Sequence, residues 1–175
     1  LATSKREAQT LQAKIIAANA YKLSDDPTES AGMPTPLKPV PFFNLAPLEN
    51  AIARLKVSAK GYDTTLAAKG AALTPDVKAR LVALAGKTEQ AMTTEPGLPG
   101  GRGWYRNMIY APGRFTGYGA KTLPGVREAI EDERWEDADT YAGYTAKAIN
   151  AYADLLDQGV TLMGGPAAAT STGAR

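Results

Sequence analysis

The chain has 175 residues, 44% of them apolar and 22% charged, with a net charge of +2. That suits one domain with a real core, and the absence of any Lys/Arg run argues against a nucleic-acid or anionic-membrane surface. It contains no His and no Cys, which removes the commonest general base, the commonest metal ligand, thiol nucleophiles and disulfides. Independent hydrolytic activity is therefore not expected. No stretch approaches the roughly 20 apolar residues of a membrane span. The opening residue is Leu1 and no signal peptide is visible, so the chain reads as an excised domain or the end of a longer polypeptide.

Ser4 to Leu23 is helical in pattern, with Leu11, Ile15 and Ala18 on a narrow apolar face. Asp25 to Pro41 holds Pro27, Pro34, Pro36, Pro39 and Pro41, and repeated Pro predicts an extended crossover; a Pro-rich recognition motif is the alternative. Phe42 and Phe43 are expected to plug one end of the core. A long helix then runs to Lys69, capped by Asn44, with Pro47 and Glu49 in its first turn. Leu48, Ile52, Leu55, Ala59, Tyr62 and Leu66 supply the alternating four- and three-residue spacing of a bundle seam.

Thr74-Pro75-Asp76 starts a third helix, with Val77, Leu81, Leu84 and Ala91 on one stripe and Glu95-Pro96-Gly97 as its stop. A short helix follows Leu123-Pro124-Gly125 through Val126, Ala129 and Ile130. A last long helix spans Trp135 to Gln158, with Trp135, Ala138, Ala142, Thr145, Ile149, Tyr152 and Leu156 on its seam and Gly159 as its stop. The acidic residues Glu128, Glu131, Asp132, Glu133, Glu136, Asp137 and Asp139 read as a solvated helix-start face rather than a cation site, lacking calcium-loop spacing. No run alternates as a strand does. The predicted fold is all-α: a four-helix-type bundle with an extra short helix, a Pro-rich crossover and a long aromatic- and Gly-rich loop. Its expected extent is residues 1–163, followed by a disordered tail over 164–175.

The loop, Trp104 to Gly125 (W-Y-R-N-M-I-Y-A-P-G-R-F-T-G-Y-G-A-K-T-L-P-G), is the stretch around which the chain is organised. A loop this long within a compact domain is either functional or disordered, and its aromatic content argues against disorder. Asn107, Tyr110 and Pro112 are expected to tie its backbone to the bundle, and Pro124 and Gly125 to set the turn into the short helix.

N-M-I-Y-A-P (Asn107 to Pro112), G-Y-G (Gly117 to Gly119) and L-P-G-V-R-E-A-I (Leu123 to Ile130) resemble the C-terminal helical domain of glutamate carboxypeptidase II, a family domain shared with the transferrin receptor. V-P-F-F-N-L-A-P-L-E-N-A-I (Val40 to Ile52) resembles that family's second-helix entry, and Trp135 its final helix. The resemblance spans roughly Lys5 to Gln158. It implies a transferrin-receptor-like dimerisation domain: a homodimer contact beside peptidase and protease-associated domains of the same polypeptide. It also implies a zinc site held by that peptidase domain, with no cofactor in this chain. An extracytoplasmic (periplasmic or secreted) setting is implied as well, with no nucleic-acid or membrane partner for this segment.

In the carboxypeptidase branch the resemblance further implies that this loop completes the substrate pocket, where a Lys-Tyr pair binds the substrate's C-terminal carboxylate. Tyr118 aligns with the tyrosine; Gly117 stands where the lysine would be, leaving Arg114 and Lys121 as candidate substitutes. The alternatives are a receptor-like dimerisation domain without peptidase activity and a free-standing bundle binding a small ligand. For Tyr118 itself, the alternative is an ordinary packed or half-exposed loop tyrosine.

Overall fold

The computed structural model describes residues 1–23 and 32–165. The chain divides into two compact units, Leu1–Phe43 and Asn44–Arg175.

In the first unit, helix α1 spans Ala2–Ala17 and a 3-10 turn covers Ala20–Lys22. The helix ends before Leu23 because Asn19 adopts φ 53°, a left-handed conformation that asparagine tolerates better than most residues. No residue of α1 is buried within the described residues, and Leu11 is exposed. Polar side chains of α1 instead bind the extended chain. Arg6 donates to the Pro41 carbonyl at 3.3 Å and Gln12 to the Thr35 carbonyl at 3.1 Å. The Gln12 Oε1 accepts the Leu37 N–H at 2.7 Å. Residues 32–41 form no helix or strand, which leaves their carbonyls available to side-chain donors. The remainder of the predicted crossover, including Pro27, lies outside the described residues.

The second unit is built on α6 (Trp135–Leu162), against which α2 (Ala46–Lys69), α3 (Pro75–Ala85), α4 (Thr88–Ala91) and α5 (Pro124–Glu131) pack. At 28 residues, α6 is about 42 Å long. Helix α2 starts where Asn44 Oδ1 accepts the Ala46 N–H at 3.0 Å. Phe42, expected to be packed, is 89% exposed.

The face that α2 buries is rotated from the predicted seam. Leu48, Ala51, Ser58 and Thr65 are buried, whereas Ile52 and Leu66 are exposed. The reason lies on the partner helix. There α6 buries Ala138, Ala142, Ala146 and Ala153, and small residues facing small residues let two backbones approach closely. Thr65 enters cheaply because its hydroxyl donates to the Gly61 carbonyl at 2.8 Å. Arg54 marks the rim of this contact, reaching the Asn150 carbonyl at 3.2 Å and Asp157 at 3.0 Å, with Asp154 between them. Leu48, Ala51, Ala146 and Ile149 form a core cluster, with Leu55, Ile109 and Leu123 packed against it.

Helix α3 begins as its sequence predicts, with Thr74 Oγ1 accepting the Val77 N–H at 3.3 Å and Pro75 in the first turn. It does not continue to Ala91: Gly86, a poor helix former, ends it and α4 is a separate turn. Helix α6 runs past its predicted stop. Gly159 lies inside it, where a Cβ would come within 2.5 Å of the Tyr62 ring, so this glycine permits close packing on α2. The helix ends at Leu162, and Gly164 follows at φ 70°. Of the predicted tail, 164–175, Gly164 and Gly165 are described and donate to the Thr161 and Val160 carbonyls, each at 2.9 Å; the rest lies outside the described residues.

Six α-helices, two short 3-10 turns (Ala20–Lys22 and Gly70–Ala72) and one two-stranded sheet make up the regular structure of the described residues, a mostly α fold. The sheet was not expected from the sequence. It pairs β1 (Tyr110–Pro112) antiparallel with β2 (Ala120–Thr122), with Tyr110 opposite Thr122 and Pro112 opposite Ala120. Three residues per strand are too few to show alternation.

Candidate functional site

The loop between α4 and α5 consists of two excursions. The first, residues 93–107, runs out and back, with Thr94 N–H donating to the Arg106 carbonyl at 3.0 Å and Leu98 N–H to the Tyr105 carbonyl at 2.8 Å. It is closed at its base by Met108 N–H to the Met92 carbonyl at 2.9 Å. Its turn is held inward, since Leu98 is 2% exposed and the buried Tyr141 phenol donates to the Gly97 carbonyl at 2.9 Å. Met108, at the start of the second excursion, is also buried. Trp104 remains 71% exposed.

The second excursion is the β1–β2 hairpin. Its base is fixed by an Asx turn and a carboxylate. Asn107 Oδ1 accepts the N–H groups of Ile109 and Tyr110 at 2.8 and 3.1 Å, while Asn107 Nδ2 and the Tyr110 hydroxyl donate to Glu89 at 3.3 and 3.2 Å. The hydrogen bond to that carboxylate raises the Tyr110 phenol above its usual pKa. On the other limb Leu123, at φ 48°, donates its N–H to the Ile109 carbonyl at 2.8 Å, and both side chains pack on the core cluster. Pro124 and Gly125 are buried in the first turn of α5.

Glu128 is the deepest anchor. It was read from the sequence as part of a solvated acidic face, yet it is 2% exposed. One carboxylate oxygen pairs with Arg102 and the other accepts the Arg114 N–H at 2.7 Å. Arg102 also donates to the Pro112 carbonyl at 3.0 Å. Other acidic residues of that stretch are paired rather than free. Glu131 binds Lys121 and Arg127, Asp132 meets Arg114 and Arg134, each at 3.5 Å, and Asp137 binds Arg134. The hydrogen bond from Lys121, and secondarily that from Arg127, holds the Glu131 carboxyl below the usual range. Among the described residues, no three or more Asp and Glu side chains are grouped so that they could hold a metal ion.

Beyond these anchors the tip, residues 114–119, closes on itself. Gly113 N–H donates to the Gly119 carbonyl at 3.1 Å, Gly119 N–H to the Thr116 carbonyl at 3.1 Å, and the Thr116 hydroxyl to the Gly119 carbonyl at 3.0 Å. Tyr118 is fully exposed and Phe115 is 78% exposed. The Arg114 guanidinium sits 5.1 Å from the Phe115 ring centroid. Gly117 has φ 57° with open space where a side chain would project. Tyr118 and Arg114 thus share the tip, whereas Lys121 lies on β2 with its side chain 14% exposed against Glu131. The Arg102–Glu128 pair carried no sequence signal, because its members are 26 residues apart in a region without periodicity.

A helical bundle bearing an anchored, outward-pointing aromatic hairpin is the architecture these contacts define. Residues 43–157 match the transferrin receptor-like dimerisation domain, and the chain belongs to that family. A probable glutamate carboxypeptidase of Arabidopsis thaliana is 32% identical over 100 residues, covering 53% of this chain and 14% of the relative. Another from Arthroderma benhamiae is 37% identical over 67 residues, covering 38% of this chain and 9% of the relative. The chain therefore spans a small fraction of the length of these curated relatives. No helix among the described residues is long and apolar enough to cross a membrane.

Proposed function

We propose that this domain joins two copies of a longer polypeptide and completes the substrate pocket of a zinc-dependent, glutamate carboxypeptidase-like peptidase, supplying no catalytic group itself. Family membership and the names of the relatives support the first half of this reading. The observation that carries the second is Tyr118, a fully exposed phenol on a short tip whose base is held by several independent anchors. A phenol O–H donates well to a carboxylate, and an anchored base keeps it in place before substrate arrives. Zinc and the catalytic base belong, in this reading, to a peptidase domain outside the chain; the extracytoplasmic setting rests on the family resemblance alone.

Gly117 leaves Tyr118 without an adjacent lysine. Arg114 is the better replacement, because its partly exposed pairing with Asp132 at 3.5 Å is of the weak kind that a substrate carboxylate can displace. Lys121 is committed to Glu131 and more deeply covered.

In the longer protein, Tyr118→Phe is expected to raise KM for peptides with a free C-terminus about tenfold with kcat little changed, as loss of a charge-assisted hydrogen bond implies. An unchanged KM removes Tyr118 from the pocket. Sedimentation of this chain tests association, and a strict monomer at high concentration would move the dimer contact to other domains. The glycine at 117 favours a second reading, a receptor-like dimerisation domain with no peptidase activity. Zinc content of the longer protein, measured by elemental analysis, separates the two.

A further inference from the structure

We infer that Arg102 and Glu128 form the positioning pair that sets where the hairpin delivers its tip. The inference deepens the proposed role of Tyr118 and rests on it only for the consequence for substrate. Three segments converge at a buried carboxylate: Glu128 from α5, Arg102 from the first excursion, and the backbone of the hairpin. The hairpin is held at two points, the Pro112 carbonyl by Arg102 and the Arg114 N–H by Glu128. These flank Gly113, the residue from which the tip departs. Fixing the peptide groups on both sides of that residue fixes the direction of the six residues that follow. The tip's own hydrogen bonds, Gly113 to Gly119 and Gly119 to Thr116, shape the turn but do not attach it to α5.

Burial of the pair is weak evidence for a stabilising role. Removing two charges from water costs about as much as their attraction returns, and apolar replacements of such pairs are often neutral or better. What an apolar pair could not do is hold two particular backbone groups by directed hydrogen bonds. Among the described residues the Arg102 Nε atom has no hydrogen-bond partner, so this arginine is tolerated at some cost, which fits a geometric duty better than a stabilising one.

The test is amide hydrogen exchange on this chain, comparing Glu128→Gln with the double variant Arg102→Met/Glu128→Met, which offers the Arg114 N–H no acceptor. Glu128→Gln strands a buried guanidinium and is expected to lower protection throughout. In the double variant, which buries no unpaired charge, exchange in α2 and α6 is expected to return to the native rate. The Gly113, Arg114 and Gly119 amides should still exchange at least about tenfold faster than in the native chain. Restored protection at those three amides in the double variant would overturn the positioning role, as would core and tip amides moving in parallel in both variants. In the longer protein the double variant should raise KM with kcat held. Faster tip exchange with an unchanged KM supports the positioning pair and refutes the pocket role of Tyr118 instead.

Discussion

Replacing Gly125 by alanine adds a single methyl group, and the structure assigns that methyl an occupied volume. A Cβ at 125 would sit 2.4 Å from Tyr141 Cδ1, 2.8 Å from its Cγ and 3.1 Å from its Cβ. The ring has little room to retreat. Tyr141 is 7% exposed, lies edge-on to Tyr144 at 5.5 Å, and donates its phenol to the buried Gly97 carbonyl at 2.9 Å. Moving the ring therefore loosens the first excursion of the loop as well as α5. Alanine returns about 1 kcal/mol of helix propensity. Against that stand about 1–3 kcal/mol for overpacking and about 1–3 kcal/mol for leaving a buried carbonyl without its donor. The expected result is a net loss of about 1–5 kcal/mol, read from urea unfolding as a lower midpoint at constant m-value. Tyr141→Phe alone should lose only the hydrogen-bond part. With that bond already absent, the ring yields more easily, so the double variant should be more stable than the sum of the two single losses by at least about 0.5 kcal/mol. A neutral Gly125→Ala, or strict additivity, would refute the claim that the ring is pinned.

Thr145 is 1% exposed and, among the described residues, its hydroxyl has no hydrogen-bond partner. Thr145→Val, which keeps the shape and removes the buried hydroxyl, should stabilise the domain by about 1 kcal/mol in the same unfolding assay; a lower midpoint would show that the hydroxyl is paired. The Lys121–Glu131 contact predicts a pH dependence. Glu131 has a folded-state pKa below its ordinary 4.5, so its stabilising contribution is complete above that value and is lost as the pH falls through the folded pKa. Lys121→Met should therefore flatten the acid limb of the stability–pH curve below 4.5, and superimposable native and variant limbs would count against the pairing.

Much of the frame was legible in the sequence because it rests on local rules. Thr74-Pro75 capping, the register of α6 and the Pro124 start of α5 all follow from neighbours in the chain. The rotation of α2 was not legible in that way. Periodicity ranks Ile52 and Leu66 above Ser58 and Thr65, but close approach to the alanines of α6 selects the smaller set, and that depends on which helix lies opposite. The loop's interior was hidden for a similar reason. Leu98 and Met108 are buried by segments distant in the chain, and the β1–β2 pairing is too short to leave a pattern. Glu128 illustrates the limit most sharply. Sequence neighbours place it in an acidic cluster, and only Arg102 and the backbone of residues 112–114 turn it into a core residue. The local motif readily singled out Tyr118 and Gly117, while their supports lay elsewhere.

The tip from Arg114 to Gly119 closes through its own backbone and the Thr116 hydroxyl, and the side chains of Phe115 and Tyr118 are not needed to form that turn. Substitutions at those two positions consequently carry little folding penalty, whereas replacing Glu128 alone, which strands the buried Arg102 guanidinium, carries a large one. Under the proposed pocket role, selection can therefore act on what the tip recognises almost independently of whether the domain folds. In that role a lineage could exchange one recognition chemistry for another through the codons for Phe115 and Tyr118 alone, with Thr116 and Gly119 left to close the turn.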